Sequence, residues 1–244
     1  MTRRGQYRIC SAAARAATYH RSVATYGQFC PVAKASDVFC QRWTPLIVRE
    51  LLCGSRRFNE IQRGVPQVSP TLLSQRLKEL ERAGVVERRP DGYDLTAAGM
   101  ELYGIVQALG EWGQRWARSD YSRDELDPGL LLWDLHRFVD PSGLRDGRTV
   151  VEFRFRRESA GRRHYWLVAA EGEVDVCLVD PGYEVDLVVD AELAALTRIW
   201  MGDTTWSVEQ AEGRVEVLGP SRLARALPSW IGQHPVLASV APAR

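Results

Sequence analysis

Residues 54–95 hold the pattern that most restricts what this chain can fold into. Ser69-Pro70 pairs a side chain able to accept an orphan backbone N–H with a proline whose fixed φ suits a first helical turn. Behind it, Leu72, Leu73, Leu77 and Leu80 recur at helical spacing, which turns Thr71, Ser74, Gln75 and Lys78 to the opposite face. Gly84 suits the left-handed conformation that ends such a helix. Val85 to Arg89 and Tyr93 to Leu95 then read as two short strands joined by Pro90-Asp91-Gly92, a strong turn signal. A shorter helix over Phe58 to Arg63 precedes the whole.

Helix, turn, helix and basic hairpin, in that order, is the arrangement of a winged helix-turn-helix, in which the second helix enters the DNA major groove and the hairpin lies on the backbone beside it. The flanking elements fit. Pro31 starts a helical pattern of Val32, Ala35, Val38, Phe39, Trp43, Leu46, Ile47 and Leu51, with a break expected before Pro45 and an end at Gly54. Thr96 is placed to cap a long last helix to about Ala117, whose Leu102, Ile105, Val106, Leu109, Trp112 and Trp116 form a wide apolar stripe.

The charge is distributed to match. The whole chain of 244 residues carries +1, but Gly54 to Pro90 holds eight basic residues against four acids, whereas from Tyr121 onward there are 14 basic and 20 acidic residues. Only the front half is suited to phosphates. Within it, Thr71, Ser74 and Gln75 are expected near base edges, with Gln75 able to bond adenine in a bidentate way, and the capping Ser69 belongs to the same DNA-binding face. Arg76 and Lys78 are expected on phosphates, and Arg88 and Arg89 on the backbone or minor groove beside the wing. The plainer alternative is a solvated helix carrying ordinary surface arginines. The capped helix, the hairpin and the basic face together favour DNA over that alternative.

Cys30-Pro31-Val32, Arg42-Trp43-Thr44, Arg49-Glu50-Leu51-Leu52, Arg57-Phe58-Asn59-Glu60 and Ser69 through Leu80 resemble the HxlR family of winged-helix transcription regulators over about Tyr26 to Trp116. The resemblance implies a homodimer joined through terminal helices and an inverted-repeat operator. Its wing here is short, because Pro90-Asp91-Gly92 replaces a longer loop. The stripe from Leu102 to Trp116 is wide enough to serve both the domain's own first helix and a second copy. Cys30 directly precedes a helix N-terminus, where the dipole lowers a thiol's pKa. Some HxlR-like regulators sense oxidants through a cysteine near this point, and the other reading is an inert thiol at the dimer seam. Cys40 and Cys53 fall on apolar helical positions and are expected in the core.

Beyond residue 128 the pattern changes. Thr149 to Arg156 alternates as a half-buried strand, with Glu152, Arg154 and Arg156 outward. Arg163 to Ala170, Glu173 to Val179, Tyr183 to Val189 and Gly213 to Gly219 read as further strands. Asp190 is expected to cap a helix carrying Leu193, Leu196, Ile199 and Trp200, Trp206 sits in another, and Pro220 opens a last one. An antiparallel α+β layer follows. The run from Asp186 to Pro220 resembles the back half of the sterol-carrier-protein fold, which encloses an apolar tunnel for lipid-like molecules. That resemblance places Trp166, Leu196, Trp200, Trp206, Leu227 and Trp230 near such a tunnel, although residues of this kind at helical spacing are also what a plain core contains.

The expected organisation is α+β: a leader over 1–25, a winged helix-turn-helix DNA-binding and dimerisation domain over 26–119, a linker over 120–128, a mixed antiparallel-sheet and helix, sterol-carrier-like domain over 129–232, and a loose tail over 233–244. The leader is arginine-bearing, and is either mobile, a short helix, or an over-long start. It lacks the apolar core of a secretory signal, and no apolar run reaches the roughly 18 residues that span a bilayer, so a cytoplasmic protein is expected. The five cysteines form no CxxC pair, and His20, His136, His164 and His234 fall in no metal or nucleophile motif. No metal, cofactor or catalysis is expected. The leading reading is a dimeric DNA-binding transcription regulator whose C-terminal domain senses an apolar small molecule. The alternative is a lipid carrier that uses its winged helix only to dimerise.

Overall fold

Two apolar cores organise the chain, one before residue 107 and one after residue 125. The computed structural model describes residues 25–117, 120–141, 147–241 and 243. The leader expected over 1–25 lies outside these, apart from its final residue.

The first core is built by helices. α1 (Pro31–Phe39) and α2 (Thr44–Leu52) are separated by a break just before Pro45, where Trp43 takes a left-handed backbone (φ 78°) ahead of the first turn of α2. α3 (Phe58–Gly64) and α4 (Pro70–Arg82) follow, then the hairpin of β1 (Val86–Arg89) and β2 (Gly92–Leu95), paired from Val86↔Leu95 to Arg89↔Gly92. Gly92 is required by close approach, since a Cβ there would lie 2.4 Å from the Arg56 carbonyl oxygen that accepts Tyr93 N–H. Ile47, Leu51, Ile61, Leu73, Leu77 and Leu80 are buried together at the centre.

Two expectations need correction here. The helix capped by Thr96 is interrupted: α5 (Ala97–Met100) ends after one turn, α6 (Tyr103–Trp112) follows, and residues Gly113–Ala117 form a π-helical turn. Cys40 is exposed at the C-cap of α1 and Cys53 is half-buried, so neither is a core residue.

The second core is a sheet covered by helices. Residues 120–127 are a turn-rich connection, and Asp127 caps α7 (Pro128–Leu135) by accepting the Leu130 N–H at 2.9 Å. β3 (Arg148–Phe155), α8 (Ala160–Arg163), β4 (His164–Ala170), β5 (Glu173–Cys177), β6 (Leu187–Ala191), α9 (Leu193–Trp200), α10 (Trp206–Ala211), β7 (Val215–Leu218) and α11 (Ser221–Ile231) complete the order. The strands lie as β5-β4-β3-β6-β7. The sheet is not wholly antiparallel, because β3 and β6 pair in parallel from Val151↔Leu187 to Phe155↔Ala191. β3 is the central strand, and Glu152 is buried rather than exposed because neighbouring side chains close over it, with Arg154 at 2.7 Å and His164 at 2.8 Å. Asp190 sits within β6, and the residue before α9 is Glu192.

The tail is packed as far as it is described, where a loose one was expected. His234 donates its backbone N–H to the Trp200 carbonyl at 2.8 Å, and its Nδ1 accepts the Leu237 N–H at 3.1 Å. Ala243 N–H reaches the Arg115 carbonyl at 2.8 Å, so the chain end returns to the helix that closes the first domain.

Candidate nucleic-acid interface

The helix-turn-helix is fixed by polar contacts at the start of α3 and across its turn. Glu60 on α3 accepts the backbone N–H groups of Arg56 and Arg57, each at 2.8 Å. Partial burial would raise its carboxyl, but these two bonds and the nearby arginines outweigh that and hold it below the ordinary glutamate range. Gln62 donates its amide to the carbonyls of Val65 (3.3 Å) and Val68 (2.7 Å), clamping the connection to α4, while Ser69 accepts the Leu72 N–H at 3.3 Å.

On α4 the leucines face inward as expected, with Leu73, Leu77 and Leu80 buried and Leu72 half-buried. Pro70, Thr71, Ser74, Gln75, Lys78 and Arg82 border one open concavity on the outer side. Ser69, Thr71, Gln75 and Lys78 are exposed, and Ser74 is half-buried. Lys78 makes no ion pair among the described residues.

Arg76 differs from its expected place. Its side chain is 14% exposed, donating to the Arg42 carbonyl at 3.2 Å and to Glu79 at 2.5 Å, so it ties α4 to the loop before α2. Glu79 also accepts the Gln75 amide at 2.8 Å, and this must be exchanged before Gln75 can meet a base. On the wing, Arg89 is paired with Glu87 and lies 3.7 Å from Asp94, whereas Arg88 only leans over Tyr93. Of the two wing arginines, Arg88 is the uncompensated charge.

Cys30 lies half-buried at the start of α1, and each described cysteine is free. The tunnel residues fare differently. Leu196, Trp200, Trp206, Leu227 and Trp230 are buried core, but Trp166 lies on the other face of β4, stacked on His164. The void beside them is about 10 Å³, bordered by Val139, Phe153, Leu227 and Trp230. That is room for one water molecule, not for a lipid. Side chains from the sheet, α9 and α11 fill the volume a tunnel would need.

A residue that sequence reasoning passed over joins the two domains. Glu50 on α2 is fully buried and accepts hydrogen bonds from Arg49 (2.7 Å), Ser55 (3.1 Å), the Trp133 indole N–H (3.2 Å) and Arg137. The last two belong to the C-terminal domain. Burial alone would raise this carboxyl, but Arg137 and Arg49 together hold it below its ordinary value. Gly64 is its floor, since a Cβ there would come within 1.8 Å of the carboxyl carbon. Its helical phase, three residues after Ile47 on the inward stripe, was the available signal.

A family model described as HxlR-like helix-turn-helix matches residues 38–121. The HTH-type transcriptional regulator YvaP of Bacillus subtilis is 42% identical over 112 residues, covering 43% of this chain and 95% of that protein. The chain belongs to the HxlR-like family. It is a transcriptional regulator of the helix-turn-helix type. YodB, an HTH-type transcriptional regulator of Bacillus subtilis, is 35% identical over 94 residues, covering 35% of this chain and 84% of YodB. The solved structure of quinone-bound YodB from B. subtilis has 37% identity, covers 34% of this chain and 96% of that one, and gives a TM-score of 0.32. The family match stops at residue 121, before the C-terminal sheet.

Proposed function

We propose that this HxlR-like protein binds an inverted-repeat operator in double-stranded DNA as a homodimer, with the C-terminal domain as its input module. One observation carries the reading. The polar face of α4 is turned outward, with its leucines buried and Lys78 unpaired, on the element that such folds insert into the major groove. Thr71, Ser74 and Gln75 supply adaptable contacts to base edges, Lys78 and Arg88 supply phosphate contacts, and Ser69 orients the helix start.

The dimer reading rests on α6 and its π-helical extension. Ile105, Leu109, Trp112 and Trp116 are each at least half exposed along one side of this stretch of helix, an apolar face that a lone chain leaves in water. Leu102 and Val106 of the same stripe pack on the domain's own core, so the stripe serves both partners. Two-fold symmetry through this face would space the two α4 helices by roughly 34 Å, one turn of DNA.

Salt-dependent anisotropy on labelled duplexes tests the proposal. Affinity should fall steeply with salt, and Lys78→Ala should weaken binding to every sequence and reduce the salt slope by about 1. Gln75→Ala should relax discrimination at one base pair by about 1 to 3 kcal/mol. Salt-insensitive binding, or no effect of either change, would overturn the face assignment. A thiol input at Cys30 is a second reading, favoured by its place at the start of α1. DNA binding indifferent to peroxide would remove it.

A further inference from the structure

A groove of about 200 Å³ runs between the two domains, bordered by Arg63 and Pro66 of the first and by Leu130, Trp133, Tyr165 and Leu178 of the second. Its walls are largely apolar, and its polar groups are few and differently committed. Asp127, also on the border, is occupied: it caps α7 through Leu130 N–H and lies 3.6 Å from Arg162. Arg63 is not. It is exposed, with its guanidinium 5.2 Å from the centre of the Trp133 ring, and it ion-pairs with no carboxylate among the described residues. The Tyr165 hydroxyl likewise makes no hydrogen bond among the described residues, and burial pushes it up, so it remains a donor at neutral pH.

We propose that this groove is an effector site for a small planar aromatic carboxylate. Pro66, Leu130 and Leu178 give apolar walls that suit a ring system, and the Arg63 guanidinium, which has no carboxylate partner among the described residues and rests over the largely buried Trp133 ring, suits one acid group. The acid end lies toward Arg63 because the Asp127 carboxylate repels a second anion. An apolar cavity of about 150 Å³ accommodates benzene, so this volume suits one ring or two fused rings.

The place of the groove gives a ligand its consequence, a point that rests on the DNA-binding reading above. The ligand would touch α3, half of the helix-turn-helix, and Trp133, whose N–H bonds to Glu50 on α2. A ligand that prefers one arrangement of the two domains must change DNA affinity by the factor by which DNA changes its own.

Isothermal titration calorimetry of the full chain with 2-naphthoate, and with 2-naphthalenemethanol as the neutral counterpart, tests the site. The acid should bind once per chain and more tightly than the alcohol. Arg63→Met should weaken the acid by roughly tenfold, the worth of one charge-assisted contact. It should leave the alcohol unchanged. Leu178→Trp, at an exposed position that the fold tolerates, should block both. No saturable binding, equal affinity for acid and alcohol, or an acid affinity indifferent to Arg63→Met would overturn the proposal. Anisotropy on a mixed-sequence duplex is the second arm. Acid binding at the groove without any change in DNA affinity overturns the effector role, whereas a protein that binds no DNA at all overturns the regulator reading and leaves calorimetry to judge the groove.

Discussion

Removing Arg137 exposes how the two domains are joined. In the Arg137→Met variant the stem stays, so its packing near Trp133 is largely kept, but the guanidinium that reaches Glu50 and donates to Ser55 Oγ at 2.9 Å is lost. Glu50 then remains fully buried with one cation, Arg49, and the donors from Ser55 and Trp133. Breaking a buried pair from one side typically costs about 3 to 5 kcal/mol, and the surviving Arg49 contact puts the expected loss at the low end, about 3 kcal/mol. Urea unfolding at pH 7 measures it. Glu50→Gln removes the buried charge that Arg137 neutralises, so the double variant should lose clearly less than the sum of the two single losses. The pH dependence has a defined sign. The Glu50 carboxyl is lowered in the folded state, so its contribution is complete above the unfolded value of about 4.3 and is lost as pH falls through the folded value. The cost of Arg137→Met should therefore shrink in acid. A loss below about 0.5 kcal/mol, or strict additivity with Glu50→Gln, would refute the claim that this contact holds the domains together.

Gly64→Ala should destabilise by at least about 3 kcal/mol, because the new methyl displaces the Glu50 carboxylate from its only enclosure; thermal melts measure it. Trp112→Asp should convert a dimer to a monomer on light scattering without altering the far-ultraviolet spectrum, since that side chain is 58% exposed in a single chain. Glu50→Gln should flatten the acid limb of the stability curve below about pH 4.5, again followed by urea midpoints. Gly92→Ala should loosen the wing from the Arg56 carbonyl and lower stability by about 1 to 3 kcal/mol, with hydrogen exchange at Tyr93 N–H rising in step.

How much of this was legible in the residues depends on the range of the interaction. Ser69-Pro70, the inward leucines of α4, Gly84 and the Pro90-Asp91 turn are local rules, and each appears where its own chemistry puts it. The same logic applied to Asp127-Pro128 would have found α7, which a reading of that stretch as linker passed over. Burial was harder. Glu152 does face away from the main core, as alternation says, yet in the middle of five strands the Arg154 and His164 side chains close over it. Trp166 was grouped with the interior tryptophans although β4's alternation turns it the other way.

Taken alone, the residue order determined the helix-turn-helix and its outward polar face, because capping, helical period and turn chemistry act over a few residues. It also marked the apolar stripe of α6. Only the tertiary structure decided that Arg76 serves the fold, that the C-terminal interior is filled, and that Glu50 meets Trp133 and Arg137 from more than eighty positions away. Those outcomes depend on which surfaces end up facing each other, and a buried charge reveals its partners only when the chain has closed around it.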